Sequence, residues 1–254
     1  MLYPPYPPEI AAKYGFVRRA RQCYLYTQSG RRLTDLYQEA GRAILGWEGG
    51  NARTVFKNIL NRGAAGSFAS EETRRLEKAL QTLLPDFPVV RFYTPHSSLL
   101  TPHPPWWRPW LHSSAALPGD PSDAPAVLFL PPFPLANNCV ILAAKTEQSV
   151  PETHSLHGAL YSLFPPPVLA GITRSIYDLL LELPRRDEHG WKRYDQGLKN
   201  YWERHGPYLF PKIPRESYGD FASRCLDAGL VISPDFDIPS IIPWGAQEGD
   251  FSRL

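Results

Sequence analysis

The stretch that decides the fold reads Cys23-Tyr24-Leu25-Tyr26-Thr27-Gln28-Ser29-Gly30-Arg31-Arg32-Leu33-Thr34-Asp35-Leu36. Its first residues are β-prone, Ser29-Gly30 is a turn pair, and the residues from Arg31 onward return to an extended pattern. Two such runs around a glycine turn predict a β-hairpin. This hairpin starts a sheet, and the elements that follow it indicate which fold the chain adopts.

Two amphipathic helices are predicted after the hairpin, beyond the glycine-rich loop 41–50. Asn51 is a suitable N-cap for the first helix, whose apolar residues recur at helical spacing until Gly63. Ser70 is a suitable cap for the second helix, which has acidic residues in its first turn and leucines along one face. A strand is then predicted at residues 89–93.

This order of elements resembles the first segment of the class III aminotransferases, the fold-type I enzymes that use pyridoxal phosphate. Leu45-Gly46-Trp47 stands where these proteins have Leu-Gly-His, and residues 66–72 stand at their serine-containing loop. The chain from residue 208 onward is similar to their C-terminal small domain, with a strand, a helix, Asp227-Ala228-Gly229 and another strand. The resemblance implies an α/β fold, in which the two ends of the chain form an aminotransferase-like small domain and the large-domain sheet is much reduced.

Three segments are expected along the chain. Residues 1–87 hold an N-terminal arm, the hairpin and two helices; residues 88–183 hold the reduced large-domain core and a Pro/Trp-rich loop; residues 184–254 form the C-terminal small domain. The middle segment is short for its family, because each βαβ unit needs about 30 residues and residues 100–167 cannot hold a seven-stranded sheet. Further elements are predicted as strands at 126–130, 138–144 and 208–211, and as helices at 168–183, 191–204 and 215–228.

The residues that the resemblance implies for cofactor binding are few. His96, Ser97 and Ser98 follow the strand at 89–93, where the family holds the cofactor phosphate, but they lack the glycine that lets a phosphate approach the backbone. Lys145 follows a buried strand and is the one candidate for a Schiff-base lysine. The favoured interpretation is a degenerate protein without catalysis, for which no cofactor is expected. The alternative is a minimal pyridoxal-phosphate-dependent transferase that uses Lys145.

Aromatic residues are candidates for an interface between subunits. The arm Tyr3–Pro8 is rich in proline and has little conformational freedom to lose when it docks. The tryptophans of the loop 101–125 either fill a gap inside the chain or contact a partner or an aromatic ligand. The sequence predicts a homodimer or a complex with another protein, and small-molecule binding is an alternative. The residues expected at the interface are Tyr3, Tyr6, Trp47, Trp106 and Trp107.

Other classes of function find little support in the sequence. The net charge is +2 and 43% of the residues are hydrophobic, so no general attraction to nucleic acid is expected. No apolar run approaches the length of a membrane span and no signal peptide is recognisable, so a cytoplasmic location is expected. The three cysteines are widely spaced, and His154 and His157 lack a third ligand at a suitable spacing. Neither a disulfide framework nor a metal site is therefore expected.

Overall fold

The computed structural model describes residues 3–66, 68–94, 104–111, 123–150, 164–252 and 254. The chain divides into two compact units. The terminal unit comprises Tyr3–Glu48 and Pro184–Leu254, and the central unit comprises Gly49–Leu183. This boundary differs from the predicted one at 87/88, because the two helices that follow the hairpin pack on the long helix of the central unit.

The elements of the described residues are numbered in chain order. The helices are α1 (Glu9–Tyr14), α2 (Gly50–Asn61), α3 (Glu71–Leu83), α4 (Pro166–Glu182), α5 (Glu188–Lys192), α6 (Asp195–Leu198) and α7 (Tyr218–Ala228). The strands are β1 (Val17–Arg21), β2 (Tyr24–Thr27), β3 (Arg32–Asp35), β4 (Val89–Tyr93), β5 (Ala126–Phe129), β6 (Val140–Ala144), β7 (Trp202–His205), β8 (Tyr208–Pro211), β9 (Leu230–Val231) and β10 (Ser240–Ile241). Within these ranges, no helix combines the length and hydropathy needed to cross a membrane.

The terminal unit contains two small sheets. One has the order β1-β2-β3-β9, in which β3 and β9 are parallel and the other pairs are antiparallel. The other is antiparallel, with the order β10-β8-β7. The predicted hairpin is confirmed as β2 and β3, since Tyr24 lies opposite Thr34 and Leu25 opposite Leu33. Helix α7 ends at Gly229, whose left-handed φ of 90° is the usual C-terminal cap.

The helix predicted at 191–204 is wrong in its second half. Helices α5 and α6 are short, and residues 202–205 form strand β7. Trp202 lies opposite Pro211 and His205 opposite Tyr208, so β8 supplies the backbone partners of this segment. The aromatic spacing fitted a helix, but pairing with a neighbouring strand overrides such a local pattern.

The central unit combines a helical layer with a small sheet. Helices α2 and α3 both pack on α4, and the sheet is antiparallel with the order β4-β6-β5. Strand β6 is buried along its whole length, as expected for an apolar strand with a neighbour on each side. On the far side of β5, the amide of Leu128 donates to the carbonyl of Pro105 at 2.9 Å and the amide of Trp107 donates to the carbonyl of Leu128 at 2.7 Å. The described part of the Pro/Trp-rich loop thus lies along β5.

Candidate functional site

A fully buried carboxylate, Asp35, lies at the end of strand β3 in the terminal unit. Its Oδ2 accepts hydrogen bonds from the Tyr6 hydroxyl at 2.7 Å and the Trp47 Nε1 at 2.9 Å. Its Oδ1 accepts from the backbone amides of Tyr37 at 3.1 Å and Gln38 at 2.9 Å. We call Tyr6, Asp35, Trp47 and the backbone of residues 37–39 the Asp35 cluster. Four donors satisfy the carboxylate, so its role is to position its neighbours.

The chain directly after Asp35 adopts a left-handed turn. Gln38, Glu39 and Ala40 have φ values of 48°, 50° and 58°, a conformation that costs a residue with a side chain about 1–3 kcal/mol. Specific hydrogen bonds stabilise the turn: the Glu39 amide donates to the Tyr6 hydroxyl at 3.0 Å, and the Gln38 Nε2 donates to the Ile241 carbonyl at 3.1 Å. Strained backbone held in this way is typical of functional positions.

The N-terminal arm is fixed to this turn by its aromatic residues. The Tyr6 ring packs edge-on against Tyr37 with centroids 5.1 Å apart, and the Tyr37 hydroxyl donates to the carbonyl of Pro4. The Arg42 Nε donates to the Tyr3 hydroxyl at 3.0 Å, and the guanidinium lies over the Tyr3 ring. The arm therefore docks on its own chain, through contacts within the terminal unit.

Burial raises the pKa values of two neighbouring carboxyl groups, Asp35 at the end of β3 and Glu39 in the turn. Burial raises the pKa of Asp35 from 3.8 to about 6, although its four hydrogen bonds act in the opposite direction. Burial also raises the pKa of Glu39 from 4.5 to about 7; the nearby Arg42 lowers it and the Asp35 charge adds to the rise. Burial and the charge of Asp35 raise the pKa of the Tyr6 hydroxyl well above its ordinary value, so this hydroxyl stays a donor. The pKa values of the Asp35 and Glu39 carboxyl groups are thus about 6 and about 7.

Tyr6 also borders a cavity of about 370 Å³ in the terminal unit. Its walls are the arm residues 4–9, one side of α7, strand β9 and the chain that follows β9. Most of the lining is proline and aliphatic side chain, so the cavity favours apolar groups.

Lys145 lies just beyond strand β6 in the central unit. Ala144 is paired with Val89 of β4 and with Ala126 of β5, so Lys145 lies at the sheet edge where both of those strands begin. Its Nζ lies 5.8 Å from the centre of the Phe87 ring, and the residue is half-buried. Strand β4 ends about 14 Å away, at the opposite edge of the sheet.

The other predicted site residues are distributed over both units or lie outside the described residues. His96, Ser97, Ser98, His154 and His157 belong to the ranges that the structure does not describe. Tyr6 and Trp47 are brought together in the Asp35 cluster and are half-buried. Tyr3 and Trp107 are buried within the chain, at 7% and 9% exposure, and Trp106 is half-buried. In the part of the chain that is described, no three His, Cys, Asp or Glu residues are grouped to hold a metal ion.

Sequence reasoning missed the role of Asp35. An aspartate two residues after Leu33 in a predicted strand is an available signal, because it shares the face of Leu33 and an acidic residue is unusual at a buried strand position. The left-handed turn had no such signal, since Gln38, Glu39 and Ala40 are not residues that favour positive φ.

Solved structures of aminotransferases share the fold of this chain. Ornithine δ-aminotransferase of Plasmodium falciparum matches with a TM-score of 0.63 and 12% identity, over 96% of this chain and 93% of that chain. Ornithine aminotransferase of Plasmodium yoelii matches with a TM-score of 0.60 and 11% identity, over 92% and 90%. An omega-transaminase of Sphaerobacter thermophilus matches with a TM-score of 0.62 and 11% identity, over 99% and 90%. The chain therefore has an aminotransferase-like, mixed α/β fold.

Two curated proteins are similar to the chain in sequence, and both are described as uncharacterized. The protein of Treponema pallidum (strain Nichols) is 28% identical over 297 residues, covering 94% of this chain and 92% of the relative. The protein of Borreliella burgdorferi is 21% identical over 248 residues, covering 94% and 88%. No protein-family model matches the chain.

Proposed function

We propose that this protein keeps the aminotransferase-like fold without pyridoxal-phosphate catalysis and acts by association, as a homodimer or with a protein partner. The observation that carries the proposal is the exposure of its lysines. The chain has seven lysines, all among the described residues; six are exposed and Lys145 is half-buried. A Schiff-base lysine works in a desolvated site that makes its amine nucleophilic, and none of these lysines is buried.

Exposed apolar surface in the terminal unit favours association. Phe16 is 75% exposed and Val17 is 43% exposed. Both lie at the start of β1, which is the outer strand of its sheet and is paired on one side only among the described residues. An exposed aromatic side chain beside an open strand edge is a suitable anchor for another chain.

The Asp35 cluster contributes two further aromatic side chains to such a surface. Tyr6 and Trp47 are held by the buried carboxylate and are half-buried, so each keeps surface that a partner can cover. Tyr3 is already buried by the chain, so we propose that it supports this surface from within, whereas Trp107 is buried inside the central unit. Aromatic residues fixed in one conformation lose little entropy on binding and often dominate interface energies.

Sedimentation velocity of the full chain at micromolar concentration tests the proposal. We expect a dimer that Phe16→Ser dissociates, whereas Leu60→Ser leaves it intact. Leu60 is a matched control because it is also an exposed apolar residue, at 45% exposure on α2 of the central unit. A full chain that sediments as a monomer and retains no protein partner on affinity purification contradicts the association. Covalent trapping of pyridoxal phosphate on lysine side chains tests the loss of catalysis separately.

A further inference from the structure

A second cavity of the terminal unit, of about 470 Å³, carries two arginines that have no carboxylate partner among the described residues. It is lined by Arg31, Arg224, Tyr201, Phe221, Asp227, Ala228 and Leu254. It is separate from the Asp35 cluster and from the apolar cavity behind the arm, with which it shares no lining residue.

Arg31 has donor capacity that the protein does not use. Its Nη2 donates one long hydrogen bond, 3.4 Å, to the backbone carbonyl of Asp227. Its Nε is shielded from solvent and has no hydrogen-bond partner in the described part of the chain. A guanidinium presents five N–H donors in a planar fork, so Arg31 can donate hydrogen bonds to an oxyanion without breaking an existing ion pair.

The charge around the cavity is positive. Arg224 forms no ion pair with a described residue; its guanidinium lies 5.6 Å from the centre of the Phe221 ring. Asp227 is the acidic side chain in the lining, and its carboxylate is paired with Lys13 of α1. The side chains of the lining, two arginines and one aspartate, therefore carry a net positive charge, which favours an anionic ligand.

One aromatic side chain, Tyr201, supplies the aromatic wall of the cavity. The Tyr201 ring packs on the Phe221 ring with centroids 5.3 Å apart, and Phe221 itself is only 1% exposed. Phe221 is buried and packs against Trp202, which fixes its orientation. The Tyr201 hydroxyl donates to a main-chain oxygen of Leu254 at 3.3 Å, which keeps this ring in place.

We propose that this cavity binds a small carboxylate attached to a planar apolar group, as in an aromatic carboxylic acid. The carboxylate pairs with Arg31 and Arg224, because the guanidinium fork matches its two oxygens. The planar group lies against the Tyr201 ring, where aromatic contacts are favourable. This site does not depend on the association proposed above.

Calorimetric titration of the full chain with benzoate tests the site, with acetate, inorganic phosphate and benzyl alcohol as comparison ligands. Benzoate is expected to bind about fivefold more tightly than acetate or phosphate, because only benzoate has both the charge and the ring. Arg224→Gln and Arg31→Gln are each expected to weaken benzoate about tenfold through the loss of charge-assisted hydrogen bonds. Arg18→Gln, at an exposed arginine of β1 in the same unit, is expected to leave the affinity unchanged.

Several results overturn the proposal. Absence of benzoate binding at millimolar concentration removes the site. Benzoate affinity that both arginine variants retain shows that binding occurs elsewhere. If phosphate binds as tightly as benzoate, the ring contributes nothing to affinity and the ligand is not an aromatic carboxylate. If benzyl alcohol binds as tightly as benzoate, the carboxylate contributes nothing, which excludes the same class of ligand. Because Arg224 is exposed, its variant is expected to fold normally, and circular dichroism confirms that any loss of binding is local.

Discussion

Replacing Asp35 with asparagine is expected to change how the stability of the protein depends on pH. The pKa of this carboxyl is 3.8 in an ordinary environment and about 6 in the folded protein, because the group is fully buried. The folded state therefore holds the proton more tightly than the unfolded state. This stabilisation is complete below pH 3.8 and is lost as the pH rises through 6. Two pKa units correspond to about 3 kcal/mol, of which about 2 kcal/mol falls between pH 4 and pH 6.

Urea unfolding of the parent protein and of Asp35→Asn across this interval measures the effect. The parent is expected to lose about 2 kcal/mol of unfolding free energy relative to the variant from pH 4 to pH 6. Subtracting the unfolding free energy of the variant from that of the parent cancels the contributions of the other titrating groups. Glu39 is coupled to Asp35 and has a pKa of about 7, so ending the series at pH 6 limits its contribution. Asp220→Asn, at an exposed carboxylate of α7, gives the background to be subtracted.

Two results refute the reasoning about Asp35. A difference between parent and variant that stays constant from pH 4 to pH 6 means that the folded protein does not raise the pKa of this group. A parent that gains stability relative to the variant as the pH rises means that the hydrogen bonds of the cluster outweigh the cost of burial, which lowers the pKa.

Two substitutions test the Asp35 site, and a third, with a matched control, tests the packing of the central unit. Trp47→Phe is expected to cost about 1–3 kcal/mol of unfolding free energy, because the buried carboxylate loses one of its four donors; a cost near zero refutes this. Ala40→Val is expected to cost about 1–3 kcal/mol in the same urea assay, since a β-branched residue is strained at φ 58°; a stabilised variant contradicts the left-handed turn. Gly171→Ala is expected to lower the thermal midpoint of unfolding, because the added Cβ would lie 2.3 Å from the buried Phe133 ring. The control Gly219→Ala meets no atom within 4 Å and is expected to raise the midpoint, since alanine favours the helix over glycine. Equal midpoints for the two variants contradict the close packing of α4.

Elements with a strong local pattern could be predicted from the sequence. The hairpin of β2 and β3, strand β4 and helix α4 all have a regular apolar period and recognisable boundaries, and the structure has them within a few residues of the predicted bounds. The capping residue of α2 is different. Asn51 is a good cap by residue type, but the observed cap is Gly49, two residues earlier, in a left-handed conformation. The cap position depends on the backbone conformation of the loop that precedes the helix, which the residue types of the helix do not determine.

The candidate site depends on contacts between residues far apart in the chain, and the sequence indicates these only in part. Tyr6 and Trp47 were recognised as aromatic residues at key positions, but not as donors to one carboxylate 12 or more residues away. Strand β7 was missed for the same reason: its extended conformation depends on backbone pairing with β8, which the residues of β7 alone do not indicate. The position of Asp35 in its strand is a local signal of burial, but the donors that surround it come from the arm, the turn and Trp47, which the strand sequence does not indicate.

Loss of pyridoxal-phosphate chemistry is the central claim, and covalent trapping of the cofactor tests it most directly. The full chain is incubated with pyridoxal phosphate and reduced with borohydride, and the modified lysines are quantified by peptide mass spectrometry in the parent and in Lys145→Ala. We expect low labelling spread over the exposed lysines, with none dominant and no change in total labelling when Lys145 is removed. About one equivalent of label on Lys145, absent from Lys145→Ala, would contradict the claim and identify a working cofactor site.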